Sequence, residues 1–89
     1  MLLTSTSVPT LWRLARLEFD HVRNQRVLLY PEGAVLLNDT GAAILELCDG
    51  HRSVEAIATI LGDRYHCEVE ADVAEYLGEL ADRELIRVG

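Results

Sequence analysis

The amino-acid sequence predicts a small α+β domain in which the strands come first and the helices follow. Two short apolar runs joined by Pro-Glu-Gly lie within residues 26–50, and three later segments have the apolar spacing of amphipathic helices. The chain has 89 residues, of which 49% are hydrophobic and only two are proline. This length suits one compact domain, expected over residues 11–89, preceded by a flexible tail over residues 1–10.

The hairpin has a clear local cause. Val27 to Tyr30 and Ala34 to Leu37 are short β-like runs, and Pro31 and Gly33 lie between them. Proline presets φ for the first turn position and glycine accepts a positive φ, so a tight turn is favoured. Residues 12–19 alternate weakly and are expected to form a first strand that pairs with Val27 to Tyr30. Together these segments predict a three-stranded antiparallel sheet.

Three helices are predicted after the sheet. Asn38 or the next residue caps a helix that runs to about residue 49, with Gly50 after its end. Ser53 caps a second helix, a third begins near Glu70, and a short strand over residues 85–88 closes the chain. A small sheet followed by a three-helix unit indicates a winged helix-turn-helix-like fold.

Charge argues against DNA binding, the usual task of such a three-helix frame. The net charge is −7; residues 1–36 carry +1 and the remaining 53 residues carry −8. Residues 70–84, which would hold the recognition helix, have six acidic residues and one base, Arg83. Lys and Arg supply most of the affinity for phosphates, so a winged-helix regulator is the less favoured alternative and no nucleic-acid partner is expected.

No catalytic or metal site is predicted. Cys48, His51, His66 and Cys67 are legitimate zinc ligands, but their spacing is not that of a zinc site, and Cys48 falls on the apolar stripe of a helix. No cysteine or serine is marked by a base and an orienting group at a suitable spacing. We therefore expect no enzyme activity and no cofactor.

Length and hydropathy favour binding through the surface. A chain this short buries roughly 60 to 65% of its unfolded surface, which leaves little room for a deep active site. No apolar run approaches the roughly 20 residues of a membrane span, and the first residues lack the basic region of a signal peptide. These features favour a cytoplasmic protein without a membrane partner.

The run from Ala34 to Leu37 is apolar on both faces and carries neither charge nor proline. Exposed strand edges are usually protected by such residues, so an edge without them can accept a strand from another chain, as in peptide binding. The same pattern also fits a core strand covered by the protein's own helices, and the residues alone do not choose between the two. Pairing of two copies into a homodimer through this edge stays open as well.

Several segments recur together in this chain: VLLYPEGAVLLNDTGAAILELCDG, then RSVEAIATIL, then Asp72-Val73 and Tyr76-Leu77. With these segments the chain resembles the small D protein family of pyrroloquinoline quinone (PQQ) biosynthesis, PqqD, closely over residues 26–61 and more loosely over residues 11–83. The resemblance implies a non-catalytic peptide chaperone that binds a ribosomally made precursor peptide and presents it to a radical SAM enzyme for Glu-Tyr crosslinking. An alternative function that fits the same resemblance is recognition of a leader peptide in another ribosomal peptide pathway.

The resemblance also implies a peptide site. In related recognition elements the peptide adds as a strand in the groove between the third strand and the third helix. Carried over to this chain, the peptide-binding residues are Ala34, Val35, Leu36, Leu37, Val73, Tyr76, Leu77 and Leu80. Backbone pairing with the strand supplies affinity, and side chains of the helix supply selectivity. Tyr76 offers both area and a hydroxyl, although a residue on the rim of the core has the same pattern.

Overall fold

The protein is described over residues 3–89 by a computed structural model. The elements in chain order are β1 (Pro9–Leu11), β2 (Arg16–Asp20), β3 (Gln25–Tyr30), β4 (Gly33–Leu36), α1 (Asp39–Glu46), α2 (Val54–Tyr65), α3 (Glu70–Asp82) and β5 (Ile86–Val88). Strands β2, β3 and β4 form an antiparallel sheet in that order, while β1 and β5 form a separate antiparallel pair. The predicted three-stranded sheet, three-helix unit and closing strand are present, and β1, which pairs with the closing strand, is the element that was not predicted.

Side-chain caps begin two of the helices as predicted. Asn38 accepts a hydrogen bond from the backbone N–H of Gly41 at 2.7 Å, and Ser53 accepts one from Ala56 at 3.1 Å. Helix α1 is shorter than expected, because the backbone after Glu46 turns away to form a bridge between Asp49 and Thr10. Gly50 has the expected positive φ of 82°, but in this loop rather than directly after the helix.

The three helices cover one face of the sheet. Leu28 on β3 is fully buried in the same cluster as Leu45, Ile57 and Leu77 of the three helices. At this packing density each buried leucine contributes roughly 1.5 to 3 kcal/mol relative to exposure. The longest helix, α3, has 13 residues, and no helix within residues 3–89 is long and apolar enough to cross a membrane.

The N-terminal segment is not a tail over the residues that the structure describes. Leu3 is buried, and the carbonyls of Ser7 and Ser5 accept hydrogen bonds from the first amides of α2, at 2.8 Å from Val54 and 2.9 Å from Glu55. Residues 9–11 then pair with β5. The expected flexible tail is therefore corrected: residues 3–10 satisfy helix amides that would otherwise have only water as a partner.

We expect Leu3→Ala to lower the free energy of unfolding by about 2 kcal/mol or more, because it removes a buried side chain from the core cluster. Thr6→Ala, at an exposed position of the same segment, should change it by less than about 0.5 kcal/mol. Urea denaturation followed by circular dichroism measures both. Equal stability of Leu3→Ala and the parent protein would contradict the packed segment.

Candidate functional site

Strand β4 has β3 as its one hydrogen-bonded neighbour among residues 3–89, so its other edge faces outward. Leu37 N–H donates to the Arg26 carbonyl at 3.0 Å, and hydrogen-bonded pairs alternate along an antiparallel ladder. Val35 therefore bonds to β3, whereas the N–H and C=O groups of Ala34 and Leu36 point to the outer edge. Four backbone groups are thus available to a further strand.

The two edges of this sheet differ in charge. Strand β2, at the opposite edge, carries Arg16, Glu18 and Asp20 at alternate positions, which discourages pairing with another strand. Strand β4 has the sequence Gly-Ala-Val-Leu and no charge. The edge that lacks this protection is the one that the sequence pattern singled out.

Side chains of β4 divide between the two faces of the sheet. Leu36 is 52% exposed and stands opposite Val27 on the face away from the helices. Val35 is half-buried against the core, and Leu37 is only 2% exposed. Leu37 lies just beyond β4, so of the four predicted strand residues it belongs to the core rather than to the accessible edge.

Helix α3 lies along the same side of the hairpin as Val35. Tyr76, at the middle of α3, lies close to Gly41 of α1. A Cβ atom added at Gly41 would be 2.7 Å from the Tyr76 hydroxyl. Arg83, just after the helix, donates a hydrogen bond to the Tyr30 hydroxyl at 3.0 Å. Tyr30 pairs with Gly33 at the start of β4. These contacts connect α3 to α1 at its middle and to the hairpin at its end, which is the arrangement that the predicted groove between β4 and α3 requires.

Most of the predicted helix residues are inaccessible to a ligand. Val73, Leu77 and Leu80 are 1%, 0% and 4% exposed and belong to the core cluster. They anchor α3 instead of lining the groove, because the apolar spacing that suggested a binding face is the same spacing that buries a helix. Tyr76, which is half-buried, is the predicted helix residue whose side chain reaches the groove.

Comparison with known proteins identifies the family of this chain. The family profile described as Coenzyme PQQ synthesis protein D (PqqD) matches residues 25–86. The chain belongs to the PqqD family. It is 41% identical over 87 residues to the PqqA binding protein of Azotobacter vinelandii, covering 96% of this chain and 95% of that protein.

Two further relatives of the PqqD family connect the sequence with solved structures. The chain is 42% identical over 86 residues to the bifunctional coenzyme PQQ synthesis protein C/D of Methylorubrum extorquens, which covers 93% of this chain but 23% of that protein. The solution structure of the PqqD truncation of Methylobacterium extorquens PqqCD, described as a functional stand-alone RiPP recognition element, has a TM-score of 0.83. It is 41% identical and covers 96% of this chain and 94% of that one.

The crystal structure of PqqD from Xanthomonas campestris is a more distant match, with a TM-score of 0.59 and 33% identity over 88% of this chain and 90% of that one. Both likenesses confirm the predicted small α+β, winged-helix-like fold of the PqqD family. These likenesses concern the fold and not the contacts of this chain with a peptide.

The hydroxyl of Tyr76 stays protonated. Burial raises its pKa, and the negative charges of Cys48, when ionised, and of Glu79 raise it further. Tyr76 therefore has an O–H group that both donates and accepts hydrogen bonds.

Three residues that contact α3 or connect it to the hairpin were not identified from the sequence: Gly41, Tyr30 and Arg83. Gly41 had a readable signal, because a glycine inside a helical pattern often marks a close approach by another group. Tyr30 and Arg83 had none, since 53 positions separate them in the chain.

The cysteines and histidines do not converge. Among residues 3–89, no three His, Cys, Asp or Glu side chains are grouped so as to hold a metal ion. Cys48 is buried and its thiol donates to the Ile44 carbonyl at 3.3 Å, while Cys67 is exposed. Burial, followed by the charge of Asp49, raises the pKa of Cys48 to about 12.

We expect the two thiols to react with Ellman's reagent at very different rates at about pH 8, because the thiolate is the reactive form. Cys67 should react within the mixing time or shortly after, and Cys48 only when the protein unfolds. The Cys67→Ser variant isolates the slow thiol. A fast reaction of that variant would contradict the buried, protonated state of Cys48.

Gly41→Ala should destabilise the protein despite the better helix propensity of alanine, because the new methyl group meets the Tyr76 hydroxyl and, at 3.1 Å, Asn38 Oδ1. In a Tyr76→Ala background the same change should cost about 1 kcal/mol less, a coupling measured by a double-mutant cycle of urea unfolding. Equal cost in both backgrounds would show that α3 does not approach α1 as closely as described.

Proposed function

We propose that this domain binds a ribosomally made precursor peptide as an added strand on β4 and presents it to a radical SAM enzyme in PQQ biosynthesis. The observation that carries the proposal is the uncharged edge of β4, with the N–H and C=O groups of Ala34 and Leu36 directed outward beside α3. The names of the relatives, a PqqA binding protein and a RiPP recognition element, support the same function.

Backbone pairing alone is insufficient for tight binding. Four hydrogen bonds to Ala34 and Leu36 would contribute about 1 kcal/mol each, whereas micromolar affinity requires about 8 kcal/mol. The difference must come from side chains on the two faces of the added strand. Val35 and Tyr76 offer contacts on the helix side, and the half-exposed Leu36 offers an apolar contact on the other.

The remaining predicted site residues are buried in the core next to the proposed site. Leu37, Val73, Leu77 and Leu80 fix α3 at a constant separation from β4, so the groove is preorganised before the peptide arrives. In this proposal the domain performs no chemistry on the peptide. Its role is to hold an extended segment in a defined register while the enzyme modifies residues elsewhere in the same peptide.

Presentation to the radical SAM enzyme requires the bound peptide to extend beyond the groove. The segment paired with β4 spans only about four residues, or roughly 13 Å, so the rest of a precursor peptide remains available to an enzyme. Helix α3 carries acidic residues on its exposed face, among them Glu75 and Glu79, which favour a basic surface on that partner.

We expect Leu36→Pro to weaken binding of the fluorescently labelled precursor peptide by about 10-fold or more, because the ring removes an outward donor and obstructs pairing. The Leu36 N–H is not used by the β3–β4 ladder, so the domain should still fold. Leu36→Ala keeps the donor and should weaken binding by about threefold or less, through lost apolar contact. Fluorescence anisotropy measures all three affinities.

Val35→Pro serves as the contrasting variant, since its N–H belongs to the ladder with β3, and we expect it to destabilise the sheet itself. Circular dichroism separates the two effects. A folded Leu36→Pro variant that binds the peptide like the parent protein would rule out strand addition at β4, and a parent protein that does not bind would rule out the proposed function.

A further inference from the structure

A hollow of about 480 Å³ opens at the end of the sheet next to the hairpin turn. Its lining residues are Arg13, Leu14, Ala15, Arg16, Leu29, Tyr30 and Pro31. It thus contains two guanidinium groups and no carboxylate, in a protein whose net charge is −7. Apolar walls beside two cations would strengthen their attraction for an anionic side chain, because they displace water from around it.

The arginines of this hollow are not neutralised by the protein. Elsewhere in the chain Arg23, Arg26 and Arg52 form ion pairs with Asp20, Glu46 and Asp49. Within residues 3–89, by contrast, Arg13 and Arg16 make no ion pair, although the chain has 15 acidic residues. What distinguishes these two arginines from the other unpaired ones is that both line the same hollow, where carboxylates of a partner would complement them.

Tyr30 connects the hollow to the β4 groove. Its side chain lines the hollow, and its hydroxyl accepts the hydrogen bond from Arg83 at 3.0 Å. Arg83 makes no ion pair in the described chain either, so it adds a third uncompensated guanidinium at the junction. From a peptide added at the outer edge of β4 to β2 the distance is about 14 Å across three strand spacings, which about four or five extended residues can bridge.

We infer that this hollow and Arg83 bind acidic side chains of the precursor peptide that flank the segment paired with β4. The inference rests on the proposed function and adds a class of peptide residue to it. Arginine is suited to this role because its planar fork can bind a carboxylate through two parallel hydrogen bonds. The Tyr30 hydroxyl holds the Arg83 fork in place while other donors of that guanidinium stay available.

A second hollow gives the opposite preference. It measures about 790 Å³, lies between α2 and the start of α3, and is lined by Asp63, Glu68 and Glu70 with no basic residue. An acidic peptide segment is repelled there and attracted to the arginines by the hairpin turn.

The test compares two peptides on four proteins. The proteins are the parent chain, the Arg13→Gln/Arg16→Gln double variant, Arg83→Gln and, as the matched control, Arg64→Gln. Arg64 is an exposed arginine in the last turn of α2 that lines neither hollow. The peptides are the labelled precursor from the same genome and a copy in which the Asp and Glu residues flanking the strand-forming segment are changed to Asn and Gln.

We expect each arginine removed from Arg13, Arg16 and Arg83 to weaken binding of the acidic precursor by about three- to fivefold. The same variants should bind the neutralised peptide as the parent protein does, and Arg64→Gln should bind both peptides like the parent. Raising the ionic strength should weaken the parent complex more than the complexes of the variants. Thermal unfolding verifies that each variant is folded.

Three results separate the possible failures. No binding of either peptide by the parent protein removes the proposed function and this inference together. Binding by the parent with the arginine variants indistinguishable from Arg64→Gln overturns the inference and leaves the proposed function intact. Equal weakening of both peptides also overturns it, because the arginines would then act on something other than the acidic side chains of the peptide.

Discussion

The burial of one face of α3 in the core is the interaction on which the rest of this structure depends. Val73, Leu77 and Leu80 are almost fully buried, so the helix has a fixed position in the core cluster. From this position Tyr76 contacts α1 and Arg83 contacts Tyr30 of the hairpin. The proposed peptide groove depends on the same helix face.

Strand β4 gives this small domain an open sheet edge, a feature that binds a peptide without a cavity in the proposed function. Backbone groups at such an edge exchange hydrogen bonds with water for hydrogen bonds with a peptide, so the net gain is only about 1 kcal/mol per bond. The charges on β2 protect the other edge from the same exchange, so pairing is directed to one place. The short length of β4 limits the unprotected stretch, which lowers the risk that whole sheets associate.

Acidic and basic residues are distributed unevenly over this domain, which the net charge alone does not show. The overall acidity belongs mostly to the helices, yet the turn end of the sheet gathers arginines that the protein leaves without carboxylate partners in the described chain. A net charge of −7 would by itself suggest a basic ligand. The local arrangement suggests different ligands at different surfaces: an acidic peptide segment at the hairpin and a basic protein surface on the helices.

The elements with local causes could be predicted from the sequence. The hairpin turn at Pro31 and the caps at Asn38 and Ser53 have local causes, because turns and caps depend on neighbouring residues. Gly33 does not take the positive φ that the sequence suggested; it pairs with Tyr30 as the first residue of β4. The family resemblance supplied the expected location of the peptide, which the sequence pattern left undecided between an open edge and a covered core strand.

Tertiary structure decided what depends on contacts between distant residues. Periodicity marks an apolar helix face without saying what covers it, so Leu77 could not be assigned to the core rather than to the groove until the packing was seen. The pairing of residues 9–11 with β5 joins the two ends of the chain, and no local signal predicts it. The sequence by itself determined that the run from Ala34 carries no charge or proline; only the fold determined that this run is an edge strand, because strand order depends on pairing between distant segments.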